Sequence, residues 1–312
     1  MPGHTPGPLL PVQEAIDQLL ASARPLDESE RVPLTSALGR VLAKPVISDV
    51  NVPPADNSAM DGYALRHADW RGAGEALPVG LRIPAGQAPG TLPEGEAARL
   101  FTGAEIPAGA DTVVMQENTR ETAEGVIIDP LPDRGANIRP RGQDMRAGQE
   151  ILPAGKRLRA QELGLLASAG QGKVEVVRRL RVAVISNGDE LIEPGNELAP
   201  GQIFNSNRYL LQGLLDGWGF EAVDLGIAPD DPEAIADIFT TAAEQADVIL
   251  SSGGVSVGEE DHVKAVVERL GALDLWKIAM KPGKPLAFGR VGDTPFIGLP
   301  GNPASALVTT LV

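Results

Sequence analysis

From about Lys173 to Val312, this 312-residue chain alternates short apolar runs with amphipathic stretches. That alternation restricts its fold more than any other feature. Strands are predicted in RVAVIS (181–186), EAVDLGIA (221–228), DVILSS (247–252), LWKIAM (275–280), PLAFGRV (285–291) and PFIGL (295–299). SNRYLLQGLLDGWG, DPEAIADIFTTAAEQ and EDHVKAVVERLG read as the intervening helices, and ASALVTTLV closes the chain. Such spacing predicts a doubly wound α/β sheet, mostly parallel. Ligands of such sheets sit beyond the carboxyl ends of the strands. The conspicuous residues fall there: Asp189-Glu190 after one strand, Asp230-Asp231 after the next, Gly253-Gly254 after the third.

The stretch Asp247–Asp261, DVILSSGGVSVGEED, carries the strongest local signal. An apolar strand breaks into Ser251, Ser252, Gly253 and Gly254, then Ser256 and Gly258, before an acidic triplet opens a helix. Glycines at a strand-to-helix turn let backbone N–H groups approach an anion, and the helix dipole adds to the attraction. Glu259, Glu260 and Asp261 are suited to a divalent cation. They equally suit the first turn of any helix, where acidic residues are favoured, and Glu260 has Lys264 at i+4. Taken alone, the stretch fits both readings.

Other clusters have similar pairs of readings. Asp231 before Pro232 reads as an N-cap with proline at N1, which leaves Asp230 as the better site candidate. Asp189-Glu190 is as much a solvated loop as a metal site. Lys277 and Lys281 lie four residues apart on an expected strand, hence on one face, and Lys284 follows. Three lysines within eight residues of an acidic chain favour a phosphate or oxyanion site over chance. Pro300-Gly301-Asn302-Pro303 leads into a helix with free N–H groups, where a plain connection is the simpler reading. His4, His67 and His262 have no zinc-ligand spacing. There is no Walker A loop, nucleophile elbow or dinucleotide fingerprint.

Upstream, residues 11–44 look helical in VQEAIDQLL and again in SALGRVLA. From Val46 to about Pro140 recurrent Pro and Gly separate short apolar runs (LPVGLRI, AARLF, DTVVMQE, GVIID), as in a small β barrel or sandwich. Residues 141–170 return to helix in RAQELGLLASAG. The chain has 43% hydrophobic residues, enough for a sizeable core, and its length suits two or three domains. Its net charge of −15 argues against general nucleic-acid binding. With no cysteine there is no disulfide, thiolate metal site or cysteine nucleophile, which is compatible with the cytoplasm. The N-terminus lacks the pattern of a secretory signal, and no apolar run is long enough to span a bilayer.

Nine segments together resemble the molybdopterin molybdenumtransferase family, that of bacterial MoeA and the C-terminal domain of gephyrin. They are PPADNSAMDGYA (53–64), FTGAEIPAGADTVVMQE (101–117), NIRPRGQDMRAGQEIL (137–152), SNGDEL (186–191), NSNRYLL (205–211), DDP (230–232), SSGGVSVGEEDHVK (251–264), WKIAMKPGKPLAFG (276–289) and GLPGNPASAL (298–307). They run in order over nearly the whole chain. Related pterin adenylyltransferases share only the α/β domain, so the N-terminal segments separate this chain from them. Ala55 replaces a usual aromatic residue and His262 a usual tyrosine. Asn187 and Asn205 are substitutions in loops near the α/β site.

The resemblance implies a role in molybdenum cofactor biosynthesis: insertion of molybdenum from molybdate into adenylylated molybdopterin, with release of AMP and with Mg²⁺. It implicates Asp61, Thr102, Lys277 and Lys281 in catalysis and Glu190, Asp230 and Asp261 in holding the metal. Substrate contacts are expected from Ser251, Gly253, Gly254, Ser256, Gly258, Lys284, Pro300, Gly301, Asn302 and Pro303. A homodimer is implied, with Asp61 and Thr102 reaching the site from the partner chain. So is a division into residues 1–45 with 141–175 as one discontinuous helical and extended domain, 46–140 as a small β-barrel-like domain, and 176–312 as the molybdopterin-binding α/β domain. Relatives continue into a C-terminal β domain, expected to be absent here because the chain stops at Val312 inside an apolar helix. Expected partners are a molybdopterin adenylyltransferase upstream and molybdoenzyme maturation factors downstream, with neither nucleic acid nor membrane. Two alternatives remain: a molybdopterin adenylyltransferase, and a non-catalytic pterin-binding scaffold module.

Overall fold

The computed structural model describes residues 9–254, 262–283 and 285–312. It divides into two compact units, one of residues up to Glu30 with Val177–Val312 and one of Arg31–Val176. The described α-helices are α1 (Val12–Ser22), α2 (Ala160–Ser168), α3 (Ser206–Trp218), α4 (Pro232–Gln245), α5 (His262–Leu270) and α6 (Pro303–Leu311).

In the first unit six strands form one sheet: β1 (Arg181–Asn187), β2 (Glu221–Ala228), β3 (Val248–Ser252), β4 (Gly271–Lys277), β5 (Pro285–Val291) and β6 (Thr294–Leu299), in the order β2-β1-β3-β6-β5-β4. The pairs β1–β2, β1–β3 and β3–β6 are parallel, while β5 runs antiparallel to β6 and β4 antiparallel to β5. Only Gly292 and Asp293 join β5 to β6, too short a connection for the crossover that a parallel pair needs. Alternation along β1 sorts the two faces. Ala183 and Ile185 pack with Ile235 and Phe239 of α4 and Val266 of α5, whereas Val182 and Val184 pack with Ala15 of α1 and Leu211 and Leu215 of α3. The sheet is therefore covered on both faces, as strand–helix alternation predicts.

The ends of these helices have identifiable causes. Asp231 accepts hydrogen bonds from the Glu233 and Ala234 N–H groups and Pro232 begins α4, so Asp231 is the cap its sequence suggests. Asn205 caps α3 through the Arg208 N–H, and Gly219, at φ 80°, ends that helix in the left-handed conformation.

Helix α1 departs from the expected grouping of residues 1–45 with 141–175. Ala15 is 1% exposed within the core of the α/β unit. The preceding Leu10 exchanges hydrogen bonds with the end of β4, donating to Lys277 O and accepting from Ala279 N. An apolar helix face is buried where a complementary face is open, and here that face is the sheet's.

The unit Arg31–Val176 contains several apolar clusters. One joins Val32, Ala37 and Leu42 to Leu152, Leu158, Leu166 of α2, Val174 and Val176. The others lie in the β-rich segment. A four-stranded sheet (Val79–Ile83, Ala97–Leu100, Gly62–Leu65, Thr112–Met115) and a three-stranded sheet (Ala76–Leu77, Gly125–Ile128, Thr119–Thr122) share a core containing Tyr63, Leu65, Val114, Val126 and Ile128. SALGRVLA is not the expected helix. After the short 3-10 turn Leu34–Ser36 the backbone reverses at Gly39, φ 76°, and Val41 and Leu42 form bridges to Arg157 and Val176. Those long-range bridges override a local helical pattern.

Candidate active site at the carboxyl edge of the sheet

The parallel strands β1, β2, β3 and β6 end along one edge, at Asn187, Ala228, Ser252 and Leu299. The antiparallel register adds to it. Ala287 of β5 lies opposite Gly298, and Lys277 of β4 opposite Pro285, so β4 delivers Lys277 to the same edge. At about 4.8 Å between strands, Lys277 is roughly 14 Å from the end of β3.

Two glycine turns meet at this edge. Gly253 and Gly254 have φ of 85° and 67°. A Cβ on Gly253 would stand 2.5 Å from the Asn187 carbonyl oxygen, and one on Gly254 would stand 2.5 Å from Val263 Cγ2, so neither position admits a side chain. The Gly253 N–H donates to Leu299 O at 3.2 Å. Gly301 lies against this turn, since a Cβ there would stand 3.8 Å from Gly253 Cα.

Buried polar side chains surround the turns: Ser186, Asn187, Asn205, Asn207, Ser251 and Ser252. Asn187 Nδ2 donates to Ser251 Oγ at 2.6 Å, and Asn207 Nδ2 donates to Gly301 O at 2.9 Å. Ser186 Oγ donates to Asn205 Oδ1, and Asn205 Nδ2 to Glu193. Asn205 is thereby fully employed in the structure, whereas Oδ1 of Asn187 and Oδ1 of Asn207 have no hydrogen-bond partner among the described residues.

The acidic candidates lie at the mouth. Asp189 and Asp230 hold each other: the Asp230 N–H donates to Asp189 Oδ1 at 3.0 Å, and the Asp189 N–H donates to Asp230 Oδ2 at 3.3 Å. Glu190 is exposed and folds its carboxylate back beside Gly188. No three acidic or histidine side chains among the described residues are gathered to share a metal ion. Paired carboxylates with free lone pairs nevertheless suit Mg²⁺, which keeps several waters and takes one or two carboxylates. Of the other expected site residues, Ser256, Gly258, Asp261 and Lys284 lie outside the described residues, as do Glu259 and Glu260.

The two described lysines do not share a strand. β4 ends at Lys277, the Met280 N–H turns back to Ile278 O, and Lys281 is exposed on the turn that follows. The shared-face expectation is therefore corrected: both lysines stand at the sheet's edge, one on a strand end and one on a turn. Gly283, φ 107°, seats that turn on α6, where a Cβ would stand 2.6 Å from Thr309 Oγ1. Asn302 caps α6 by accepting from the Ser305 N–H, and Pro303 begins the helix, so both have local structural work.

Asp61 and Thr102 belong to the other unit, where the fold brings them together. Asp61 Oδ1 accepts from the Thr102 N–H at 2.8 Å and the Thr102 hydroxyl at 2.7 Å. These two bonds, the backbone one foremost, hold the Asp61 carboxyl below its ordinary pKa. Nearby a cavity of about 290 Å³ is lined by Pro54, Ala55, Asn57, Gln87, Gly103 and Glu105, and buried Asn57 Oδ1 has no hydrogen-bond partner among the described residues. Sequence reading missed Asn207 and the role of Asp189. A polar residue in the first turn after a cap is an ordinary pattern, and only burial distinguishes it.

Residues 10–170 match the MoeA N-terminal region (domain I and II), and residues 183–312 a probable molybdopterin binding domain. The chain is 42% identical over 302 residues to the molybdopterin molybdenumtransferase of Haemophilus influenzae, covering 96% of this chain and 75% of that one. It is 43% identical over 324 residues to the Nostoc enzyme of the same name, covering 98% and 74%. A crystal structure of the molybdopterin biosynthesis MoeA protein from Pyrococcus horikoshii superposes with a TM-score of 0.82 at 35% identity, covering 97% of this chain and 78% of that one. Among the described residues no helix is long and apolar enough to cross a membrane.

Proposed function

The chain belongs to the MoeA family of molybdopterin molybdenumtransferases, and from that premise we propose that it inserts molybdenum from molybdate into adenylylated molybdopterin and releases AMP. One observation carries the reading: two glycine turns, a cluster of buried polar side chains, an acidic mouth and Lys277 converge on a single edge of the sheet. The turns offer close backbone approach to an anion, which suits the phosphates of the substrate. Lys277 and Lys281 supply positive charge in a chain of net charge −15, where it opposes the charge gathering on phosphate and molybdate oxygens.

Asp230, with its partner Asp189 and neighbouring Glu190, would hold Mg²⁺ together with Asp261. Held by these carboxylates, Mg²⁺ would supply Lewis-acid polarisation of the phosphoanhydride from which AMP departs. The chain's own groups supply orientation. Asp189 and Asp230 fix each other's loops, so the acidic mouth keeps its shape while the substrate is bound. We further propose a homodimer in which Asp61 and Thr102 complete the partner's site, working in the cytoplasm between a molybdopterin adenylyltransferase and maturation factors of molybdoenzymes. The discontinuous domain of the N-terminal half is retained in this proposal as residues 31–45 with 141–175. In its support, apolar side chains between Val32 and Val46 pack with those between Ile151 and Val176.

Incubation with adenylylated molybdopterin, Mg²⁺ and molybdate tests the proposal. Molybdate-dependent AMP release is expected. Adenylylation of molybdopterin by ATP would instead make the protein an adenylyltransferase, and binding without turnover would make it a scaffold.

A further inference from the structure

Two carboxamides at the carboxyl edge are more than nine-tenths buried and leave an oxygen without a partner among the described residues: Asn187, 3% exposed, and Asn207, 7% exposed. A buried amide oxygen gives up its bonds to water, so native proteins rarely leave one unpaired. The two amides differ in how firmly their orientation is set. Asn187 faces the Ser251 hydroxyl, which can donate or accept, so either end of the amide satisfies that contact. Asn207 faces the carbonyl of Gly301, which only accepts. Its Nδ2 must therefore point at Gly301, and the free atom must be Oδ1.

The position of Asn207 ties that oxygen to the site. Gly301 is packed against Gly253, Gly253 is hydrogen-bonded to the end of β6, and the Asn187 carbonyl closes the other side of Gly253. Phosphate and molybdate oxygens are acceptors and repel a carbonyl oxygen. The heterocycles at the two ends of adenylylated molybdopterin carry N–H donors.

We propose that Asn207 is a substrate-binding residue whose Oδ1 accepts a hydrogen bond from the N–H edge of a heterocycle, the pterin or the adenine of the substrate. The inference rests on the molybdopterin reading of this site. Asn207 anchors the Gly301 turn with its nitrogen and reads the ligand with its oxygen. Discrimination by a buried acceptor is strong, because an analogue without the donor leaves that acceptor unpaired.

The test compares Asn207→Ala and Asn207→Asp with wild type, measuring binding of molybdopterin, AMP and inorganic pyrophosphate to the intact chain. Asn207→Ala should weaken one heterocyclic ligand roughly tenfold or more beyond any loss it shares with pyrophosphate, about the worth of one buried hydrogen bond. Loss on molybdopterin identifies the pterin as the donor, and loss on AMP identifies the adenine. Asn207→Asp keeps an acceptor but loses the bond to Gly301, so it should retain most of that affinity. Equal losses for Ala and Asp, on all three ligands, would reduce Asn207 to an anchor of the turn and overturn the proposal. So would Ala with wild-type affinities. Where Ala does not fold, as judged by circular dichroism, Asn207→Ser takes its place in the same comparison. Wild type that binds neither heterocycle would instead remove the molybdopterin reading itself.

Discussion

Lys281 stands exposed on a turn held in place by what lies beneath it: Gly283 has no side chain and rests on Thr309 and Met280. A lysine on such a turn can reach a ligand without being buried when the site is empty. Lys281→Ala should therefore weaken substrate binding or turnover roughly tenfold or more, since a charged hydrogen bond is worth about 1.5–3 kcal/mol. Melting temperature should not change. Isothermal titration and AMP release measured on the same preparation check both statements, and unchanged values would remove Lys281 from the site. At this scale the sequence was informative wherever chemistry is local. Asp231 before Pro232 announced a cap, and Gly253-Gly254 announced a turn. Asn207 gave no such sign, because what makes it unusual is burial beside a loop 94 residues away.

Among the elements, β1 and β3 are held together at the end away from the site. Asp247, just before β3, accepts from Arg178 Nη1 at 2.6 Å, Arg178 Nη2 at 2.8 Å and the Arg181 N–H at 2.8 Å, and Arg178 also pairs with Glu28. The Arg178 bonds foremost pull the Asp247 carboxyl from 3.8 down to about 2. A carboxyl whose folded pKa is depressed adds stability above its unfolded pKa and loses it as pH falls through the folded one. The contribution, about 2 kcal/mol, is thus complete above pH 4 and fades as the pH drops toward 2. Asp247→Asn should lower the unfolding free energy by about that amount at pH 7 and flatten the acid limb of the stability profile. Urea titrations across pH 2–7 measure it, and two overlaid profiles would deny the clasp its role. Ligand affinity should be untouched, because the clasp and the glycine turn lie at opposite ends of the same strands.

For the whole molecule the composite site is the decisive proposal, because Asp61 and Thr102 belong to one compact unit and the lysines to the other. If each site draws on two chains, Asp61→Ala and Lys281→Ala chains should complement each other when mixed. In a heterodimer one site would carry both defects and the other neither. Random reassociation makes about half the dimers heterodimers, so roughly a quarter of wild-type activity should return in a symmetric dimer with two independent sites. Purified mixed dimers as inactive as either parent, beside wild-type controls that survive the exchange, would place the site within one chain.

The strand–helix alternation after Lys173, the carboxyl-edge placement of the candidate loops, the cap at Asp231 and the need for glycine at 253 and 254 were all legible in the sequence. Each depends on a few neighbouring residues and on how their side chains alternate. Tertiary structure decided the rest. Reversal of β5 alone returns β4 to the direction of the parallel strands and so brings Lys277 to the edge where they end, and no periodicity encodes strand direction. Bridges from Val41 and Leu42 to Arg157 and Val176 cancel a helix that local pattern favours. Helix α1 has an apolar face of its own, but which surface that face covers is decided by the open side of the α/β sheet rather than by its eleven residues. The bond from Asn207 to Gly301 exists only once α3 and the loop before α6 have been brought together. Local propensity acts over a turn of helix or a pair of strand residues, whereas an active site is assembled from the ends of elements whose meeting depends on the closure of the whole sheet.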